Sequence, residues 1–269
     1  MSDLTQDAPE VTALDAAHAA MEAAPDDDNV RLRFYERLAD SELFLLLSAE
    51  ADGGNASPEI FPVEDVQFVL LFDREERLSS FTGRPSPYAA LSGRTIVEQL
   101  AGQGVGLAVN LETPSAILIP PEAVDWLRDT VAHAPDEVEA QIAAFHPPHG
   151  LPEYLIAAID AKLATARGLA DCAFLAGTED EQGRRSHMLA FIDAVPGAEP
   201  SLARAASEAL TFSGVEAGQM DVGFFAATDS HAASLARVGL RFDLPEAETA
   251  QEITHVAPGS DPNKPPILR

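Results

Sequence analysis

Three short apolar runs, each closed by turn residues, set the strongest limit on how this chain folds. Val66-Gln67-Phe68-Val69-Leu70-Leu71-Phe72 stops at Asp73-Arg74-Glu75-Glu76. Val105-Gly106-Leu107-Ala108-Val109 stops at Asn110, and Ala116-Ile117-Leu118-Ile119 stops at Pro120-Pro121. Runs of this length, rich in β-branched and aromatic residues, are the signature of buried strands. Between the first two, Leu91, Ile96, Val97 and Leu100 predict one amphipathic helix from Leu91, stopped by Gly102. Pro121 suits the first turn of a further helix ending near Val131. Strand, turn, helix, strand, hairpin and helix make one α+β unit.

The flanking sequence extends this unit and adds a second. Residues 1–28 form an acidic, Ala-rich leader, either a loosely attached helix or a disordered arm, in which Leu14, Ala17, His18 and Met21 share a helical face. Asn29 is expected to cap a helix from Val30 to Leu38. A strand over 42–47, a turn at Gly53-Gly54-Asn55 and a short edge strand at Ile60–Val63 follow. His146-Pro147-Pro148-His149-Gly150 interrupts any helix and reads as a linker over 146–151. Beyond it, a helix from Pro152 to Leu163 precedes strands at 171–176 and 188–195. A helix capped by Ser201 then runs to Leu210, with Glu208 near its exposed side. A strand at Met220–Phe225, a helix from Ser230 to Val238 and a strand at Leu240–Phe242 complete the unit. The expected architecture is α+β: two small mixed-sheet domains, 29–145 and 152–245, joined by the Pro-rich linker, with a flexible tail over 246–269.

Composition narrows the function classes. A hydrophobic fraction of 46% suits a globular chain, and no apolar run is long enough to cross a bilayer. The acidic start lacks the basic-then-apolar pattern of a signal peptide, so a cytoplasmic location is expected. The single Cys172 excludes an internal disulfide and a cysteine-cluster metal site, and its apolar neighbours make it a small buried thiol. Net charge is −27. Residues 1–145 hold 27 acids and 8 bases, and residues 150–269 hold 17 and 9, so both halves repel nucleic acid and anionic lipid. Such a surface favours hydration first, and secondly attracts a basic protein patch.

No motif carries a recognisable chemistry. Gly102-Gln103-Gly104-Val105-Gly106 resembles a nucleotide glycine motif, but it follows a helix and opens a strand, the reverse of the required context, and reads as a turn. His146 and His149 flank two prolines without the spacing of a metal pair, and no GxSxG, SxxK or phosphate-loop motif is present. The expectation is no catalytic residue, no metal and no cofactor. Asp73 and Asn110 are the remaining candidates for binding. Each ends a buried strand, and if those strands are parallel neighbours both side chains sit at one sheet end, where ligands often bind. Arg74 and Arg94 would add positive charge there. The competing and favoured reading is local: Asp73 caps the turn and Asn110 takes a left-handed or Asx-turn conformation.

Phe72-Asp73-x-Glu75-Glu76-Arg77-Leu78, Leu91-Ser92-Gly93 and Gly106-Leu107-Ala108-Val109-Asn110 resemble the N-terminal domain of the SseB family, bacterial proteins named for enhanced serine sensitivity. The strand at 116–120 and the helix from Pro121 extend the likeness, and the region after Pro152 resembles the family's C-terminal domain. The resemblance implies a non-enzymatic, regulatory or protein-binding role around amino-acid metabolism, with a protein as partner. An amino-acid sensor with a pocket near Asp73 and Asn110, and an acidic secretion chaperone, are the alternatives.

Overall fold

The computed structural model describes residues 11–50, 56–132, 142–180, 182–215 and 220–246. The first ten residues of the leader, the Gly53-Gly54-Asn55 turn and the tail beyond 246 lie outside them.

The first apolar run becomes β3 (Val66–Phe72), the axis of a sheet ordered β4-β1-β3-β5-β6. Here β1 is Glu42–Leu46, β4 Tyr88–Ser92, β5 Val105–Val109 and β6 Ile117–Ile119; β2 (Ile60–Val63) pairs with the start of β3. β3 lies antiparallel to β1 and β2 and parallel to β5. Alternation gives β1, β3 and β5 two apolar faces. Leu43, Leu45, Val69, Leu71, Leu107, Val109 and Ile119 face inward under α1 (Ala13–Ala23), α2 (Asp28–Asp40), α4 (Gly93–Leu100) and α5 (Pro121–Ala132). Phe44, Leu46, Phe68, Leu70, Phe72 and Ala108 face outward, where α3 (Glu75–Thr82) contributes Leu78 and Phe81.

Several boundaries differ from the sequence reading. The turn after Phe72 opens α3, and the helix expected from Leu91 is divided: Leu91 pairs with Leu43 in β4, and α4 begins at Gly93. Tyr88-Ala89-Ala90-Leu91 has too little apolar contrast to show a strand period, so pairing with β1 decides it. Ser92 Oγ caps α4 by accepting the Thr95 N–H. Gly93 is required there, because a Cβ would come within 1.9 Å of the Leu38 carbonyl oxygen. Asp27, not Asn29, caps α2. Within the leader, α1 docks on the first core by burying Leu14 and His18, with Ala17 and Met21 packed beside them.

The second sheet is ordered β10-β9-β8-β11, with β8 at Cys172–Asp180, β9 at Arg185–Ile192, β10 at Met220–Phe225 and β11 at Leu240–Asp243. β7 (Ile142–His146) pairs with the end of β8, so this sheet takes up chain upstream of the Pro-rich segment. α6 (Glu153–Leu163) and α7 (Glu199–Phe212) cover one face through Leu155, Ile159, Leu202 and Ala206. α8 (Ser230–Val238) covers the other through Ala232 and Leu235. Ser201 lies inside α7 rather than capping it, since Ala198 holds the N-cap position. The series β4-β1-β3-β5 and β11-β8-β9-β10 share strand directions: antiparallel, antiparallel, parallel.

The halves meet through α7. Phe212, at its C-terminal end, is 1% exposed and belongs to the first core, where its ring meets Trp126 edge to face at 6.4 Å.

Candidate functional site

Because β3 and β5 are parallel neighbours, Asp73 and Asn110 do emerge at one sheet end. The Asp73 N–H donates to Asn110 Oδ1 at 3.0 Å, and Asn110 is fully buried with φ at +51°. Asn110 thus shares the sheet end with Asp73 and adopts the left-handed conformation, whereas Asp73 does not cap the turn: Arg74 holds the N-cap position of α3, and the Asp73 carboxylate accepts from Thr12 and Arg77 instead.

This end is closed by α1. Thr12 and Asp15 form a capping box, Thr12 Oγ1 accepting the Asp15 N–H while the Asp15 carboxylate accepts the Thr12 N–H. The Thr12 hydroxyl donates onward to Asp73 Oδ2 at 2.6 Å. Arg77, one turn into α3, grips Asp15 with both guanidinium nitrogens at 2.8 and 2.6 Å, and Asp73 at 2.8 Å. Asn110 Nδ2 donates to Ser115 Oγ at 3.1 Å, which donates to Asp15 Oδ1 at 2.6 Å. The Arg77 bond holds the Asp15 carboxyl far below the usual carboxylate range, against the opposing effect of burial. Arg77 is correspondingly pushed up, chiefly by Asp15. Chemically this is a charge-assisted clamp of α1 onto the ends of β3 and β5.

Beside the clamp lies an open depression of about 430 Å³, bounded by Arg74, Arg77, Phe81, Leu111 and Thr113. Arg74 occupies the N-cap position of α3 on its rim. Arg94 is elsewhere, which corrects its grouping with Asp73. It projects from α4 to Glu208 of α7, Nη1 to Oε1 at 2.5 Å and Nη2 to Oε2 at 3.0 Å, and to Asp40 of α2 at 2.8 Å. Lys162 of α6 completes this second cluster, with Asp40 at 2.7 Å, Glu208 at 2.8 Å and Glu36 at 3.6 Å. Glu208 is 3% exposed, the opposite of its expected place. α7 is covered by the second sheet on one side and by the first half on another, so it has little exposed side left. Burial works against the Lys162 charge, but Asp40 and Glu208 outweigh it and raise its pKa. Burial pushes the Glu36 carboxyl up, opposed by Lys162.

The sequence reading missed Thr12, Asp15, Arg77 and Ser115 in the clamp, and Glu36, Asp40 and Lys162 in the second cluster. One signal was present for Lys162: it is one of only two lysines in a chain with 15 arginines, and it adjoins the apolar stripe of its helix. The histidines of the Pro-rich segment separate in role. His146 Nε2 faces Glu179 at 3.6 Å, whereas His149 offers its backbone carbonyl to His187 Nε2 at 3.0 Å. Among the described residues no three His, Cys, Asp or Glu side chains group to hold a metal ion. Gly102 and Gly104 have φ of +77° and +69°, making a turn before β5. No helix among the described residues is long and apolar enough to cross a membrane.

The fold and clamp define an α+β protein with a mixed, helix-backed sheet in its first half. Residues 14–126, from α1 into α5, match the family model of the SseB protein N-terminal domain. No curated protein and no solved structure matches the chain significantly.

Proposed function

We propose that this is a cytoplasmic, non-enzymatic SseB-family protein that acts by binding another protein, in a regulatory role linked to amino-acid sensitivity, with the region after Pro152 serving as the family's C-terminal domain. The observation that carries the binding role is the outer face of the first sheet. Phe61, Tyr88 and Leu118 are 39%, 38% and 42% exposed on that face, and among the described residues α3 is the helix packed on it. Exposed aromatic and aliphatic side chains sharing one face are typical of contact surfaces. The amino-acid sensor reading is weaker. The Asp73 carboxylate and the Asn110 amide, which would grip such a ligand, already bond to Thr12, Arg77 and Ser115.

The test is affinity capture from lysate with the full chain, at low and moderate salt, beside a thermal-shift screen of amino acids. A stoichiometric protein partner and no thermal shift are expected. Capture of no protein at either salt, or a clear rise in melting temperature with one amino acid, would replace this reading.

A further inference from the structure

We infer that the outer face of the first sheet receives a basic amphipathic helix from a partner protein, laid beside α3. This rests on the protein-binding reading above and gives it a place and a partner chemistry.

The face is a row-by-row construction. Across β2 and β3, Phe61 stands opposite Phe68 and Val63 opposite Val66. Across β5 and β6, Ala108 stands opposite Leu118, and across β1 and β4, Leu46 stands opposite Tyr88. Gly106, beside Phe68, has no side chain and lies under its ring: a Cβ there would come within 2.5 Å of the ring edge. The floor between Phe61 and Leu118 is therefore apolar and low.

Width decides how much of this floor α3 covers. The five strands from β4 to β6 span about 19 Å at the usual interstrand spacing. One helix covers about 10 Å of that, and the eight residues of α3 extend only about 12 Å. The inner face of the same sheet carries α1, α2, α4 and α5. Among the described residues, room for one further helix thus remains on the outer face, where Phe61 and Leu118 are exposed. A strand added to β2 is disfavoured, because Pro62 removes a backbone donor from this four-residue edge.

Charge selects the occupant. Residues 56–72 carry Glu59, Glu64 and Asp65 and no Lys or Arg, and Glu59, Glu64 and Asp65 are exposed around the β2–β3 hairpin. Glu42 and Glu75, both exposed, lie near Tyr88. A second copy of this chain would bring the same acids against them, with a net charge of −27 on each copy. A helix with an apolar stripe and flanking Lys or Arg satisfies both the floor and its rim.

The probe is a labelled synthetic helix of about 20 residues, Leu on one face and Lys on its flanks. It is titrated with the full chain by fluorescence anisotropy. Controls are a scrambled peptide of identical composition and a Glu-for-Lys counterpart. The Leu–Lys helix should bind more tightly than both, and more weakly as salt rises. Phe61→Ser and Leu118→Ser, on different strands, should each weaken binding about tenfold, with Val195→Ser unchanged. Circular dichroism confirms that each variant is folded, and two sites protect the test against the loss of one. Equal binding of the scrambled peptide, or full affinity in both face variants, would overturn the proposal. So would a wild-type dimer that Phe61→Ser dissociates, since the occupant would then be a second copy. A chain that captures a stoichiometric lysate protein yet ignores the Leu–Lys helix overturns this placement alone; one that captures no protein fails the broader reading.

Discussion

Glu208 of α7 and Arg94 of α4 form a two-pronged ion pair across 114 residues of sequence, Oε1 to Nη1 at 2.5 Å and Oε2 to Nη2 at 3.0 Å. Lys162 on α6 reaches Glu208 Oε2 and also Asp40 on α2. Four helices from the two halves thus share one charge cluster, with Glu208 and Lys162 buried and Arg94 and Asp40 partly so, next to the Phe212 side chain that enters the first core. A buried pair of this kind is weak as a source of net stability but costly to break, because the surviving charge loses its compensation without regaining water.

Glu208→Ala leaves Arg94 and Lys162 short of a partner and should destabilise the protein by about 3 kcal/mol. Adding Lys162→Met should cost less than the sum of the two single changes, because the second removes a charge already stranded by the first. Urea unfolding of the two single variants and the double variant measures the coupling; strict additivity would contradict a shared cluster.

Glu36 titrates in the opposite sense to most carboxylates. Burial raises its folded pKa above the unfolded value, so its contribution favours folding most at low pH and is lost as pH rises through the folded value. Glu36→Gln, permanently neutral, should raise the melting temperature at neutral pH. The advantage over wild type should vanish below about pH 4, where Glu36 is protonated in both states. Thermal melts of both proteins across that range decide it.

At the clamp the sign is reversed. The Asp15 pKa is depressed, so its contribution is complete above the unfolded value and declines as pH falls below about 4 toward the folded value. Asp15→Asn should cost about 2 kcal/mol at neutral pH by weakening bonds to Arg77, Ser115 and Thr12. It should also accelerate amide exchange in α1 specifically. Wild type and variant should converge in stability as the solution is acidified.

Asn110 separates a backbone role from a side-chain role. Asn110→Ala loses the bonds to the Asp73 N–H and to Ser115 and also places a Cβ-bearing, non-polar residue at φ +51°. Asn110→Gly loses the same bonds but removes the steric penalty, so it should be less damaging by about 1 kcal/mol. Chemical denaturation of both variants measures the difference, and a glycine variant no better than alanine would assign the whole cost to the hydrogen bonds.

Much of the fold follows from local pattern. The runs that became β3, β5 and β6 announced themselves by β-branched and aromatic density, and the helices α5, α6 and α8 by apolar spacing with proline or polar starts. The pairing of Asp73 with Asn110 was legible as a condition, since two buried strands end at these residues. What stayed hidden was what those side chains touch. Thr12 and Asp15 lie about sixty residues away in sequence from Asp73 and Arg77, and no periodicity links them.

Sequence alone determined the α+β class and the positions of most buried strands, because hydrophobic period and turn chemistry act within a few residues. Tertiary structure alone decided that Arg94 belongs with Glu208 rather than Asp73, that Glu208 is buried, and that β4 is a strand. Each of those outcomes depends on which distant surface covers the residue, and desolvation and strand pairing are set by contacts that a local pattern does not encode.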